Sequence, residues 1–175
     1  MNKIKIVQIN FFILAIGLLA LTGCGPKIET GATIQTEASA MGPFFAGPNS
    51  LIAEYEVNLS AIDGLENVSK EQMKEIKINR VKVILNESDS LTFDSFTSAS
   101  LQMVGSNTSM QSIAIKNPIT SNTRELILEV SEEADVVDYF KNEKFSLVLD
   151  LDFLDDSYNE EIGAIIILDL NIKHN

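Results

Sequence analysis

Along the last third of the chain, apolar and polar residues alternate with the period of a half-buried strand. Phe145, Leu147, Leu149, Leu151 and Phe153 share one parity, and Ile162, Ala164, Ile166, Leu168, Leu170 and Ile172 repeat the pattern after an acidic turn at residues 155–160. The two runs predict a final hairpin paired antiparallel. Ile165 and Ile167 add apolar residues to the other face of the last strand, which reads either as a strand covered on both sides or as a patch awaiting a partner. The first reading is preferred, because the outward positions turn polar again at Asp169, Asn171 and Lys173.

Upstream, Leu51, Ala53, Tyr55, Val57 and Leu59 alternate with Glu54, Glu56, Asn58 and Ser60. Ile76 and Ile78 fall on one parity and Val81, Val83 and Leu85 on the other, so a bulge near Asn79 and Arg80 is needed to bring both sets onto one face. Further strands are predicted at residues 91–96 and 99–104, around Ile113 and Ile115, and through Leu126, Leu128 and Val130. Gly105-Ser106-Asn107 is a turn signal and Asn117-Pro118 a strand end, since proline lacks the ladder donor. Two short helices punctuate this pattern. Ser69 and Gln72 have the spacing of a capping box for a turn or two to about Glu75. Ser131 is placed to cap a helix to about Phe140, with Glu132 and Glu133 in its first turn and Lys141 and Lys144 near its end. Roughly seven or eight short strands with regular turn signals predict an all-β domain, an antiparallel β-sandwich of immunoglobulin-like kind. A small closed barrel is the alternative.

The N-terminal stretch follows a different pattern. Lys3 and Lys5 precede an apolar run over residues 11–21 that ends in small residues, the layout of a secretory signal. The run is too short to span a bilayer, which takes roughly 20 apolar residues. Leu21-Thr22-Gly23-Cys24 closes it, and Cys24 is the only cysteine in the chain. This tetrapeptide resembles the lipobox of bacterial lipoproteins. The resemblance implies cleavage between Gly23 and Cys24, a diacylglycerol on the Cys24 sulfur, and an acyl chain on the new amino terminus. Two or more acyl chains hold a protein firmly in a bilayer, at about 0.8 kcal/mol per buried methylene. Three segments result: a signal peptide at 1–23, a lipidated flexible tether at 24–50, and a folded domain at 51–175. The tether assignment rests on Gly25, Pro26, Gly31, Gly42, Pro43, Gly47 and Pro48; a short strand over residues 33–36 is weakly signalled within it. Phe44 and Phe45 are the apolar exception there, either docking on the domain edge or offering a contact to a protein partner.

Composition narrows the chemistry. The 175 residues carry a net charge of −12, and loss of Lys3 and Lys5 with the signal peptide leaves −14. That disfavours nucleic acid and electrostatic adhesion to anionic lipid, both of which need basic patches; the body is expected to stand off the membrane on its anchor. With Cys24 acylated, no thiol remains for disulfides or metal thiolates. The sole histidine, His174, lies one residue from the end, where chains fray, so a histidine-based triad is not expected. No glycine-rich phosphate loop is present. Asp150, Asp152, Asp155, Asp156, Glu160 and Glu161 gather at the predicted hairpin tip. Calcium favours such oxygen ligands, although the spacing departs from an EF-hand and a solvated outer face accounts for it equally. Paired carboxylates could serve glycoside hydrolysis, but no Trp and only Tyr55, Tyr139 and Tyr158 are available as sugar platforms. Arg80 and Arg124, the only arginines, form no anion-binding cluster.

A second resemblance covers most of the body. Residues 81–94, then 131–147, are similar in strand rhythm to small lipoproteins of Bacteroidota-type bacteria. It implies fold and placement, not activity. The expectation is therefore a non-catalytic β-domain, lipid-anchored through Cys24 in a bacterial cell envelope, with a protein partner there and no cofactor beyond its acyl chains. Gly25 after the cysteine, rather than an aspartate, favours the outer membrane over the inner one. A calcium- or ligand-binding module at the acidic hairpin is the alternative, and a carboxylate hydrolase the lesser one.

Overall fold

The computed structural model describes residues 27–87, 91–132, 134–157 and 161–175. Eight strands form a closed antiparallel barrel: β1 (Ile28–Met41), β2 (Gly47–Glu56), β3 (Met73–Leu85), β4 (Phe96–Gly105), β5 (Gln111–Lys116), β6 (Glu125–Val130), β7 (Lys144–Phe153) and β8 (Glu161–His174). Round the barrel they run β1-β2-β7-β4-β5-β6-β3-β8. Long ladders join β6, β3, β8 and β1 on one side and β2, β7, β4 and β5 on the other. The two seams are short. β1 meets β2 at Ser39 and Ile52, and β5 meets β6 at Ala114–Val130 and Ile115–Glu129. This order is that of an eight-stranded jelly roll, not the strand order of an immunoglobulin domain. The all-β expectation stands, and the immunoglobulin-like connectivity is replaced.

Inward positions are mostly apolar along the long strands, with Thr30 and Thr36 of β1 and His174 of β8 as exceptions. Leu51 and Ala53, Leu101 and Met103, Leu147, Leu149 and Leu151, and Ile166, Leu168 and Leu170 are all buried. Eight strands leave an interior just wide enough for side chains to fill. Outward positions carry Gln35, Glu37, Glu54, Lys82, Gln102, Asp150 and Asp152. A barrel whose outer wall meets lipid has the opposite alternation. Aromatic rings close the two ends of the core: Phe153 packs edge-on to Phe96 at 4.7 Å and lies parallel to Phe44 at 5.5 Å, while Phe145 packs against Tyr55 and Phe140, each at 5.2 Å.

The bulge expected near Asn79 is present: the β3–β8 register shifts between Ile78 and Arg80, and Ile76, Ile78, Val81, Val83 and Leu85 are all buried. A second shift, between Leu101 and Gln102 on β4, buries both Ile113 and Ala114 and turns Ile115 outward. Residues 93–95 form a 3₁₀ turn rather than a strand, with Phe93 buried as a plug. The helix expected from Ser131 is only α1 (Val137–Lys141), whose cap residue is Val136; the Asp135 carboxylate just before it accepts from the Val137 N–H at 3.1 Å. At the other predicted helix, the Gln72 side chain accepts from the Ser69 N–H at 2.8 Å, but the turn stops at Gln72 and β3 begins at Met73.

Two departures alter the architecture. β7 and β8 do not pair with each other; β7 lies between β2 and β4, and β8 between β1 and β3. The acidic turn is thus a crossing between the two sides of the barrel. Ile165 and Ile167, on the outer face of β8, are half-buried between Glu37 and Gln35 of β1 and Ile84 and Lys82 of β3. The segment expected to be a tether is largely β1, whose fourteen residues all pair with β8, from Ile28↔His174 to Met41↔Glu161.

The loop after β2 folds back over one end of the barrel, placing Leu65 in the core. Gly64 in that loop has φ +82, and a Cβ there would lie 2.8 Å from Thr30 Cγ2. Gly64→Ala is expected to lower stability by about 1–2 kcal/mol, the cost of a left-handed residue, read as a reduced urea midpoint with an unchanged slope.

Candidate functional site

The two ends of the barrel differ, and strand direction assigns the candidate residues to them. β1 starts at what we term the near end, with the C-terminus of β8, the β4–β5 hairpin and α1. The far end holds the turn after β7, residues 42–46 and the loops at 91–95 and 117–124.

The described acidic residues divide between the barrel wall and the far end. Asp150 and Asp152 project outward from β7, where each carboxylate is held by neighbouring strands. Asp150 accepts from Ser50 Oγ and from Gln102 Nε2 at 2.8 Å, and Asp152 accepts from Thr97 Oγ1 at 2.7 Å. Asp156 accepts from the Ala46 N–H at 2.9 Å, tying the β1–β2 loop to the chain leaving β7. Asp155 and Asp156 line a hollow of about 320 Å³ with Leu91, Asp94, Phe153 and Leu154. Glu160 lies outside the described residues. Among the described residues no group of three or more His, Cys, Asp or Glu is arranged to hold a metal ion. Asp150, Asp152 and Asp156 serve as hydrogen-bond acceptors for the fold, so a calcium titration into the millimolar range is expected to leave the melting midpoint unmoved. A bound ion would raise it by mass action.

Phe44 and Phe45 part company. Phe44 is buried, pairs with Ser157 through N–H···O bonds of 2.9 and 2.8 Å, and stacks on Phe153. Phe45 is 63% exposed at the far end, where Met41 and Leu154 are exposed as well. Only Phe45 of the pair is therefore open to a partner.

His174 is not on a frayed tail. It is the last residue of β8, buried, with Nε2 3.1 Å from Thr30 Oγ1 and Nδ1 enclosed without a hydrogen-bond partner among the described residues. Its position one residue from the end gives no sign of this, because β1, the strand that holds the ring, has the composition of a tether. The described tyrosines belong to the core. Tyr139 donates to the Ser109 carbonyl, and burial pushes the phenols of Tyr55 and Tyr139 above their ordinary pKa. Tyr158 lies outside the described residues.

Charge pairs stitch the outer wall. Arg80 Nε meets Asp169 Oδ2 at 2.8 Å beside the β3 bulge, and Thr33 Oγ1 donates to the other oxygen of Asp169 at 2.9 Å. Arg124 donates to the Asn86 carbonyl. At the near end the Lys173 ammonium sits 2.6 Å from Glu75 and 3.7 Å from Glu29, linking β8 to β3 and β1. That hydrogen bond holds the Glu75 carboxyl below the usual carboxylate range and raises Lys173. Beside this network Lys27, Lys74 and Asp135 line an open hollow of about 380 Å³. A wider one, of about 530 Å³, lies between the β2–β3 loop and the wall at Asn79 and Asp169.

Gly23 and Cys24 lie outside the described residues, but the chain enters the described structure at Lys27, one residue before β1.

No protein-family model matches the chain, and no curated protein does. Among solved structures it is similar to the BFDV capsid protein in its decameric crystal form, at 9% identity and a TM-score of 0.40, over 86% of this chain and 100% of that one. It is also similar to a structure of infectious bursal disease virus, Gx strain, at 9% identity and a TM-score of 0.25, over 86% of this chain and 42% of that one. At these scores the likeness carries no argument about what this chain does.

Proposed function

We propose that the chain is a lipid-anchored bacterial envelope protein whose β-barrel domain is a non-catalytic binding or structural component. The observation that carries this reading is Leu21-Thr22-Gly23-Cys24, which sets the only cysteine at the acceptor position behind a basic and apolar leader. An interior filled with apolar side chains, and carboxylates committed to neighbouring strands, support a role in contact rather than in catalysis. The partner surface is the far end, where Phe45, Met41 and Leu154 stand exposed among Asp94, Asp155 and Asp156. The outer membrane is the favoured site, from Gly25 at the position after the cysteine.

Fractionation tests the anchor. The protein is expected in the membrane pellet, resistant to high salt and alkaline carbonate and released by detergent. Recovery in the salt wash would indicate peripheral attachment and overturn the reading.

A further inference from the structure

We infer that the barrel stands end-on against the bilayer, its near end meeting the headgroups and its far end held outward. The inference rests on the proposed acylation of Cys24 and deepens it by naming the surface that meets lipid.

The argument is one of length. β1 begins at Ile28, paired with His174 at the end of β8. Between Cys24 and Ile28 lie only Gly25, Pro26 and Lys27. In any conformation that stub reaches at most about 14 Å, at roughly 3.3–3.6 Å per residue. β1 then runs fourteen residues to Met41, which carries its end about 40 Å farther at strand rise, or about 30 Å along the axis of a barrel with tilted strands. A tether of about 25 residues, with a root-mean-square span of about 25–30 Å, would let the body tumble freely. A stub shorter than the body cannot let it turn over.

Ile28 and Met110 stand exposed at the near end, beside the anchor and on the β4–β5 hairpin. The charges there are mixed, with Lys27, Lys74 and Lys173 set among Glu29, Glu75 and Asp135, so the length of the stub, not electrostatic attraction, carries the placement.

Energy transfer to an acceptor-labelled headgroup tests the placement. Acylation consumes the only native thiol, so one introduced cysteine can be labelled uniquely. Full-length chains carrying Asn107→Cys (near end) or Asn122→Cys (far end) are processed in a lipoprotein-competent host and reconstituted in vesicles of phosphatidylethanolamine and phosphatidylglycerol. Transfer is expected to be several-fold stronger from residue 107 than from residue 122. Inserting about 25 Gly/Ser residues after Gly25 is expected to erase that difference. Equal transfer from both positions on vesicle-bound protein would overturn the end-on placement alone. Protein that fails to float with the vesicles would overturn the acylation and the placement together.

Discussion

Cells producing the Cys24→Ala chain are expected to lose it from the membrane fraction almost completely. The expected change in partition is very large, because on the proposed reading the acyl chains carry the whole attachment. Each buried methylene contributes about 0.8 kcal/mol, so two or three chains account for tens of kcal/mol that no surface contact replaces. Among the described residues no helix is long and apolar enough to cross a membrane, and the exposed apolar residues of the outer wall, Ile52, Ile115 and Ile127, are set among polar ones. The substituted protein is expected to keep its fold, since residue 24 precedes the first strand. Immunoblots of soluble and membrane fractions, with far-ultraviolet circular dichroism of the soluble form, check both halves. A Cys24→Ala chain that stays in carbonate-washed membranes would show that something else holds it.

The second large effect concerns residues 28–41, whose composition is that of a tether. Removing residues 28–41 is expected to abolish cooperative folding, whereas a chain beginning at Lys27 is expected to melt as one unit. β1 pairs along its whole length with β8 and places Ile34 and Ala38 in the core. Losing ladder hydrogen bonds at about 0.5–1.5 kcal/mol each costs on the order of 10 kcal/mol, comparable to the total stability of a domain this size. It would also leave β8 and β2 as open edges, which invite aggregation. Ala38→Asp tests the same point with one residue, since a tether would accept the charge and a barrel interior would not. Thermal melts followed by calorimetry would read both variants, and an unchanged midpoint in either would return residues 28–41 to the status of a linker.

What was legible in the chain depended on how large the inward residues are. β7 announces itself because Phe145, Leu147, Leu149, Leu151 and Phe153 are all bulky, and the β3 bulge was readable because Ile78 and Val81 change parity across it. β1 alternates just as regularly, with Thr30, Ala32, Ile34, Thr36, Ala38 and Ala40 turned inward and Glu29, Gln35, Glu37 and Ser39 outward. Small inward residues made that period look like linker composition. Its signal was the parity itself, not the hydrophobicity.

Strand partners were less legible. The alternation in β7 and β8 is satisfied by any neighbour that buries the same face, so it cannot distinguish a local hairpin from a jelly-roll crossing. The acidic turn looked like a site because its carboxylates are close in sequence. Asp150 and Asp152 are instead spoken for by Ser50, Gln102 and Thr97 from β2 and β4, partners at sequence separations of 48 to 100 residues. The setting of His174 is hidden in the sequence for a related reason, since the residue that engages it, Thr30, is 144 positions away.

The most direct measurement is the intact mass of the N-terminal peptide from protein purified out of native membranes. The account predicts a chain that begins at Cys24 and carries a diacylglycerol on sulfur with an acyl chain on its amino group. A free thiol at Cys24, or residues 1–23 still attached, would contradict it.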